Sequence, residues 1–123
     1  MGYIEEVNEA LAAFPPFWHR VGEYRFTENA LDTLQINIGL KCNLACKHCH
    51  VESSPARTEE MSRETLEQCL AVFCDRGFKT IDITGGAPEM NPNYEWFLRE
   101  AVGAGASVMT RSNLSICKEP GYE

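Results

Sequence analysis

Basic side chains are scarce: 11 Lys and Arg stand against 18 Asp and Glu, a net charge of -7. No two of the basic residues are adjacent. Nucleic-acid binders usually carry a basic face, so that class is disfavoured. Long apolar runs are also missing, and no stretch approaches the ~20 apolar residues of a membrane-spanning helix. The opening segment, MGYIEEVNEALAAF, has Glu5 and Glu6 where a secretory leader needs a basic segment and then an apolar run. These deficits predict a cytoplasmic chain with no nucleic-acid or membrane partner, in which thiols stay reduced. Internal repeats and low-complexity tracts are absent. The length of 123 residues suits one domain, but it is well short of the roughly 250 that a complete (β/α) barrel needs.

Cysteine is not scarce. Six are present, and Cys42, Cys46 and Cys49 crowd into the stretch CNLACKHC, with His50 directly after. An even count raises the possibility of a disulfide framework. Against it stand the missing leader, a cysteine fraction below that of disulfide scaffolds, and the position of Cys69 and Cys74 inside a strong helical pattern.

The pattern along the chain alternates strands and helices. Ile4, Val7, Leu11 and Phe14 recur at helical spacing until Pro15-Pro16 stops them, so residues 1–33 read as a helical lead-in. Phe17 and Trp18 read as packing residues. Leu34, Ile36 and Ile38 alternate with polar residues before Gly39, which predicts a strand. Ser62 caps a helix predicted over Arg63–Arg76, with Leu66, Cys69, Leu70 and Phe73 on one face and Gly77 as its stop. A second strand is predicted from Lys79 to Gly86. Asn91 and Pro92 open a further helix whose buried face would be Phe97, Leu98, Ala101 and Val102. A third strand is predicted from Ser107 to Ser115. Such alternation implies parallel strands joined by right-handed crossovers. Residues 34–123 thus read as an α/β core, the first three parallel strands of a partial (β/α) barrel. A bare edge after three strands leads us to expect a front piece of a longer chain.

Structural zinc wants four ligands, usually from two paired knuckles. Cys46 and Cys49 supply one C-x2-C pair, Cys42 stands alone at C-x3-C spacing, and His48 or His50 could complete a set. A redox C-x2-C should open a helix, yet the next predicted helix starts only after Ser62. Closely spaced thiolates are also the usual signature of an iron–sulfur cluster. Three cysteines on a 4Fe–4S cluster would leave one iron open to a small molecule. The second strand ends in TGGAPE, where paired glycines let backbone come close to a partner and Glu89 can face a cationic amino group.

The C-x3-C-x2-C run after a first strand, together with TGGAPE, resembles the radical S-adenosylmethionine (radical SAM) superfamily. The resemblance implies that Cys42, Cys46 and Cys49 ligate a 4Fe–4S cluster whose open iron chelates the amino and carboxylate groups of S-adenosylmethionine. Reductive cleavage would then release a 5′-deoxyadenosyl radical. By the same resemblance, Gly85, Gly86 and Glu89 would hold the methionyl amine, and His48 takes the place of an aromatic residue near the adenine. Arg111 and Asn113 match the family's pattern and could contact the cofactor's carboxylate or ribose, with surface or turn packing as the equal alternative. An electron donor such as ferredoxin or flavodoxin and a small-molecule substrate are implied. Read together, LDTLQINIGLKCNLACKHCHVESSPARTEEM, TGGAPEMNP and RSNLS resemble the arsenosugar-biosynthesis radical SAM proteins. That narrower likeness implies adenosyl transfer to a methylated trivalent arsenical.

Two rivals stand beside it: another radical SAM reaction, such as peptide or cofactor maturation, and a non-catalytic metal or redox module. Arg57 could neutralise a carboxylate but reads first as a solvated loop residue, and His50 could line the cluster pocket or serve as a hydrogen-bonded loop residue. Cys69 and Cys74 read as helix residues, and Cys117 has no assigned role.

Overall fold

The computed structural model describes residues 3–14 and 31–123. The chain divides into two compact units, Met1–Ala30 and Leu31–Glu123. In the first, helix α1 (Tyr3–Ala13) carries Glu5 and Glu6 in its first turn, where the helix dipole favours negative charge. Pro15-Pro16, Phe17 and Trp18 lie outside the described residues.

In the second unit the order is β1 (Thr33–Asn37), α2 (Arg63–Arg76), β2 (Thr80–Thr84), α3 (Tyr94–Gly103) and β3 (Ser107–Thr110). The strands form one parallel sheet in the order β1-β2-β3. This is the predicted partial β/α fold. The register pairs Leu34 with Ile81 and Ile36 with Ile83, so the apolar alternation of both strands falls on the same face. Ile36, Ile38, Ile81 and Ile83 there join Leu66 and Phe73 of α2 and Phe97 and Ala101 of α3 in one buried cluster. The intervening residues pair Gln35 with Asp82 and Asn37 with Thr84. One face of the sheet is therefore a helix-covered core, and the other is polar along β1 and β2, with Met109 of β3 beside Asp82.

Helix α2 has the predicted bounds. Ser62 Oγ accepts the Thr65 N–H at 3.3 Å, and Gly77 ends the helix at φ 70°, a left-handed conformation that glycine adopts without steric cost. Helix α3 differs from expectation at both its start and its face. It begins at Tyr94, after a 3-10 turn over Pro88–Met90, because Asn91 is used elsewhere. The Asn91 Nδ2 donates to Ile38 O at 2.8 Å and to Met61 O at 3.1 Å, tying the end of β1 to the entry of α2. Phe97 and Ala101 are buried as expected, but Val102 is 58% exposed. One residue past Ala101 is a turn of about 100° around the helix, which carries Val102 to the solvent side. The third strand also stops early, at Thr110. After Arg111 N–H donates to Ile83 O at 2.9 Å, the chain leaves the sheet through Leu114, at φ 58°, into a 3-10 turn over Ser115–Lys118.

Candidate functional site

The cysteine loop leaves the end of β1 and is pinned from two sides. On one, Leu40 N donates to Glu59 O at 2.9 Å and Cys42 N to Ser54 O at 3.1 Å. On the other, the turn after β2 reaches under it, with Gly86 N donating to Gly39 O at 2.9 Å and Ala87 N to Lys41 O at 2.9 Å. A Cβ on Gly86 would collide with the Lys41 carbonyl, and one on Gly85 would come within 3.0 Å of Gly39 O. The absent side chains here admit protein backbone. The paired glycines therefore set the height of the cysteine loop, a role that spacing alone did not suggest.

The loop closes over a cavity of about 510 Å³ on the polar side of the sheet. Cys42, Cys46, Cys49 and His48 line it from the loop, and Gly85 and Gly86 from the β2 turn. Arg111 and Asn113 line it from the segment after β3. The structure thus brings together every sequence-predicted site residue except Glu89, which stays off the cavity wall. Glu89 is half-buried, and its Oε2 is buried without a hydrogen-bond partner.

The three thiols have distinct surroundings. Cys42 is buried, and its Sγ accepts from Leu44 N at 3.4 Å and from Asn113 Nδ2 at 3.6 Å. Cys49 Sγ accepts from Ser53 N at 3.4 Å. The backbone N–H of Ser53 first, and that of Val51 next, hold the Cys49 thiol below its ordinary 9.0, favouring the thiolate that binds metal. Cys46 is exposed. Ser53 lines the cavity, and its buried hydroxyl sits beside the Cys49 thiol, which it also helps to hold down. Among the described residues no three His, Cys, Asp or Glu side chains converge as a single-ion site requires. Soft sulfur donors and N–H groups aimed at sulfur fit an iron–sulfur group.

The polar face of the sheet holds a network that the sequence reading missed. Arg111 donates from Nε to Asp82 Oδ1 at 3.1 Å and from its NH2 to Asp82 Oδ2 at 2.7 Å. Gln35 Nε2 donates to the same Oδ2 at 2.8 Å. Asp82 is 3% exposed. An acidic residue alone in the strand TIDIT, at a register position facing Gln35, was the available signal. Asn113 is likewise engaged within the protein. Its Nδ2 reaches Cys42 Sγ and, at 2.8 Å, Asn43 Oδ1, while its Oδ1 accepts from Ser115 Oγ at 3.0 Å and Ile116 N at 3.1 Å. Both donors and both lone pairs of that amide are thereby used. Arg57 closes its own loop, donating to Glu59, whose carboxyl it holds at about 2, and to Glu52 O. His50 also lines the cavity. Cys69 is half-buried, which pushes its thiol up, and Cys74 and Cys117 are exposed.

Residues 36–119 match the profile described as the radical SAM superfamily. The subtilosin biosynthesis protein AlbA of Bacillus subtilis (strain 168), named for an antilisterial bacteriocin, is 31% identical over 86 residues, which cover 63% of this chain and 19% of AlbA. A second protein of that strain, YydG, named for peptide biosynthesis, is 35% identical over 69 residues, covering 55% of this chain and 21% of YydG. GTP 3′,8-cyclase of Chlorobaculum tepidum is 28% identical over 71 residues, covering 58% of this chain and 22% of the cyclase. The chain thus spans about a fifth of the length of these relatives.

Proposed function

Because the chain belongs to the radical SAM superfamily, whose members use a 4Fe–4S cluster and S-adenosylmethionine, we propose that Cys42, Cys46 and Cys49 hold that cluster and that the adjoining cavity receives the cofactor. One observation carries the proposal: all three cysteines line a single cavity of about 510 Å³, together with Gly85, Gly86 and Arg111. That volume lies in the range of small-molecule sites. When bound, the group supplies one-electron reduction of S-adenosylmethionine, and the protein binds, orients and shields. The N–H groups of Leu44 and Ser53 orient the Cys42 and Cys49 sulfurs. Arg111, anchored on Asp82 through two of its nitrogens, keeps further N–H groups for an anionic group such as the cofactor carboxylate. The GGAPE string supports Glu89 as the partner of the methionyl ammonium, although the turn over Pro88–Met90 holds it off the cavity wall, and His48 offers a flat ring for the adenine.

For the substrate we propose adenosyl transfer to a methylated trivalent arsenical by the full-length protein. The motif strings CKHCHV, GGAPEMNP and RSNLS support that reading. A second reading, radical modification of a peptide, is favoured by the two relatives named for bacteriocin and peptide biosynthesis. Both need an external one-electron donor.

Anaerobic reconstitution tests the first step. About four iron and four sulfide should bind per chain, as a 4Fe–4S cluster requires. Alanine at Cys42, Cys46 or Cys49 should abolish uptake, and alanine at Cys74 or Cys117 should not. One tightly held zinc with no sulfide would sink the assignment. The full-length holoenzyme, offered a methylated trivalent arsenical and a donor, should then yield an adenosylated arsenical. Modified peptide and no arsenical product would select the second reading.

A further inference from the structure

We propose that Asn113 is a positioning residue for Cys42, and that its side-chain N–H, aimed at the Cys42 sulfur, raises the reduction potential of the cluster. The inference rests on the reading of Cys42 as a cluster ligand, and of the two expectations for Asn113 it follows turn packing over cofactor contact.

The orientation of the Asn113 amide is fixed by its partners. The Ile116 backbone N–H, 3.1 Å away, can only donate, so the group facing it is the oxygen Oδ1. The nitrogen then faces Cys42 Sγ at 3.6 Å and Asn43 Oδ1 at 2.8 Å. Asn43 is held in turn by its own Nδ2, which donates to Ser115 Oγ at 2.9 Å, and Ser115 Oγ donates back to Asn113 Oδ1 at 3.0 Å. The ring is closed. It bridges 71 residues of sequence between the first cysteine and the turn after β3. It is also anchored: Ile116 is 1% exposed and packs with Cys42 and Ala87 in a small apolar cluster.

Such a clamp restrains the sulfur and places a dipole on it. Reduction adds negative charge that spreads onto the thiolate ligands, and a donor pointing at sulfur stabilises that added charge. Hydrogen bonds to the sulfurs are among the factors that set cluster potentials. With both its donors and both its lone pairs engaged, the amide has nothing left to offer S-adenosylmethionine in this arrangement.

The test uses the anaerobically loaded holoprotein, with the potential read by electron paramagnetic resonance during a redox titration without S-adenosylmethionine. Asn113→Leu, similar in shape but without donors, should hold its cluster at a lower potential and bind S-adenosylmethionine with unchanged affinity. Ser115→Ala, which loosens the same turn but leaves the Asn113 N–H on sulfur, should keep the wild-type potential. Equal potentials in wild type and Asn113→Leu would overturn the proposal, as would an equal drop in Ser115→Ala. Weaker cofactor binding at an unmoved potential would make Asn113 a cofactor contact and overturn it too. Should Asn113→Leu fail to load, deuteron couplings to the cluster in heavy water decide the matter. One exchangeable site of the wild type should vanish in Asn113→Asp, which keeps the Oδ1 contacts, and its persistence would refute the contact. A wild type without any cluster would instead overturn the ligand assignment, and this inference with it.

Discussion

Arg111 closes a two-point fork on Asp82, at 3.1 Å from Nε to Oδ1 and 2.7 Å from NH2 to Oδ2. The pair is lopsided: the Asp82 side chain is 5% exposed and that of Arg111 66%. The carboxylate is therefore the committed partner, with Gln35 as its second donor. Arg111, first, and Gln35, next, hold the Asp82 carboxyl below its ordinary 3.8 against the opposing effect of burial. The fork ties the middle of β2 to the segment after β3, on the polar face that borders the cavity.

The first prediction concerns acid. A carboxyl whose pKa is lower in the folded chain than in the unfolded one stabilises the fold above its unfolded value, and that contribution fades as pH falls through the folded value. Wild type should therefore be more stable than Asp82→Asn at neutral pH. The difference should hold down to about pH 5 and shrink as pH falls through and below 3.8. Urea midpoints measured for both proteins across this range give the curve. A gap independent of pH would show that the carboxylate charge is not what the fork contributes.

A second prediction separates two glycines. Gly86→Ala forces a methyl into the Lys41 carbonyl, an overpacking that costs typically ~1–3 kcal/mol. Because Lys41 precedes Cys42, cluster uptake should fall as well. Gly103→Ala meets open space at the end of α3, and should be neutral or stabilising by at most about 1 kcal/mol. Denaturant midpoints and bound iron, compared across the two variants, check both statements. Equal stabilities would mean that the turn tolerates a side chain by shifting away.

Much of this is legible in the sequence. Ser62, Gly77 and the spacing of Leu66 and Phe73 define α2 because caps and period are local properties, written in neighbouring residues. The grouping of three cysteines with the β2 turn was legible because parallel β/α units bring the ends of their strands together. What escaped were contacts between residues far apart in sequence. Asp82 reads as one polar residue in a strand until the register sets it beside Gln35 and under Arg111. Asn91 looks like a helix opener, yet its amide ties the end of β1 to the entry of α2. Asn113 reads equally as a cofactor contact or a turn-packing residue, and its bonds to Ser115 and Ile116 become visible only with the turn over Ser115–Lys118.

A third prediction concerns Glu89, whose Oε2 is buried and unpaired. An unpaired carboxylate oxygen is a local cost to the free protein and an asset only toward a cation. Glu89→Gln should leave the protein without cofactor as stable as wild type or slightly more so. In the cluster-loaded protein it should weaken S-adenosylmethionine by roughly 1.5–3 kcal/mol, the usual worth of a hydrogen bond to a charged group. Thermal melts and equilibrium binding supply the two readouts. Unchanged affinity would make Glu89 a bystander of the turn.

The fourth prediction turns on the polarity of one buried amide. Asn91 is 5% exposed. Its Nδ2 donates to Ile38 O and Met61 O, and its Oδ1 accepts the Asn93 N–H at 2.8 Å. Asn91→Ala removes all three bonds; Ile38 O keeps the Met61 N–H at 2.9 Å, so the groups left unsatisfied are Met61 O and the Asn93 N–H, at about 1–3 kcal/mol for each that water cannot reach. Asn91→Asp keeps the size and still accepts from Asn93, but it turns an acceptor toward two carbonyl oxygens in place of a donor. Conservation of shape should therefore be the worse choice: at neutral pH Asn91→Asp should be less stable than Asn91→Ala. Protonation gives the aspartic acid one O–H donor again, so the order should narrow or invert as the medium is acidified. Urea unfolding at neutral and acidic pH, with equal slopes for the variants, reads the order directly. If Asn91→Asp proved the more stable at neutral pH, the amide would be filling space, and the bracket between β1 and α2 would have to rest on other contacts.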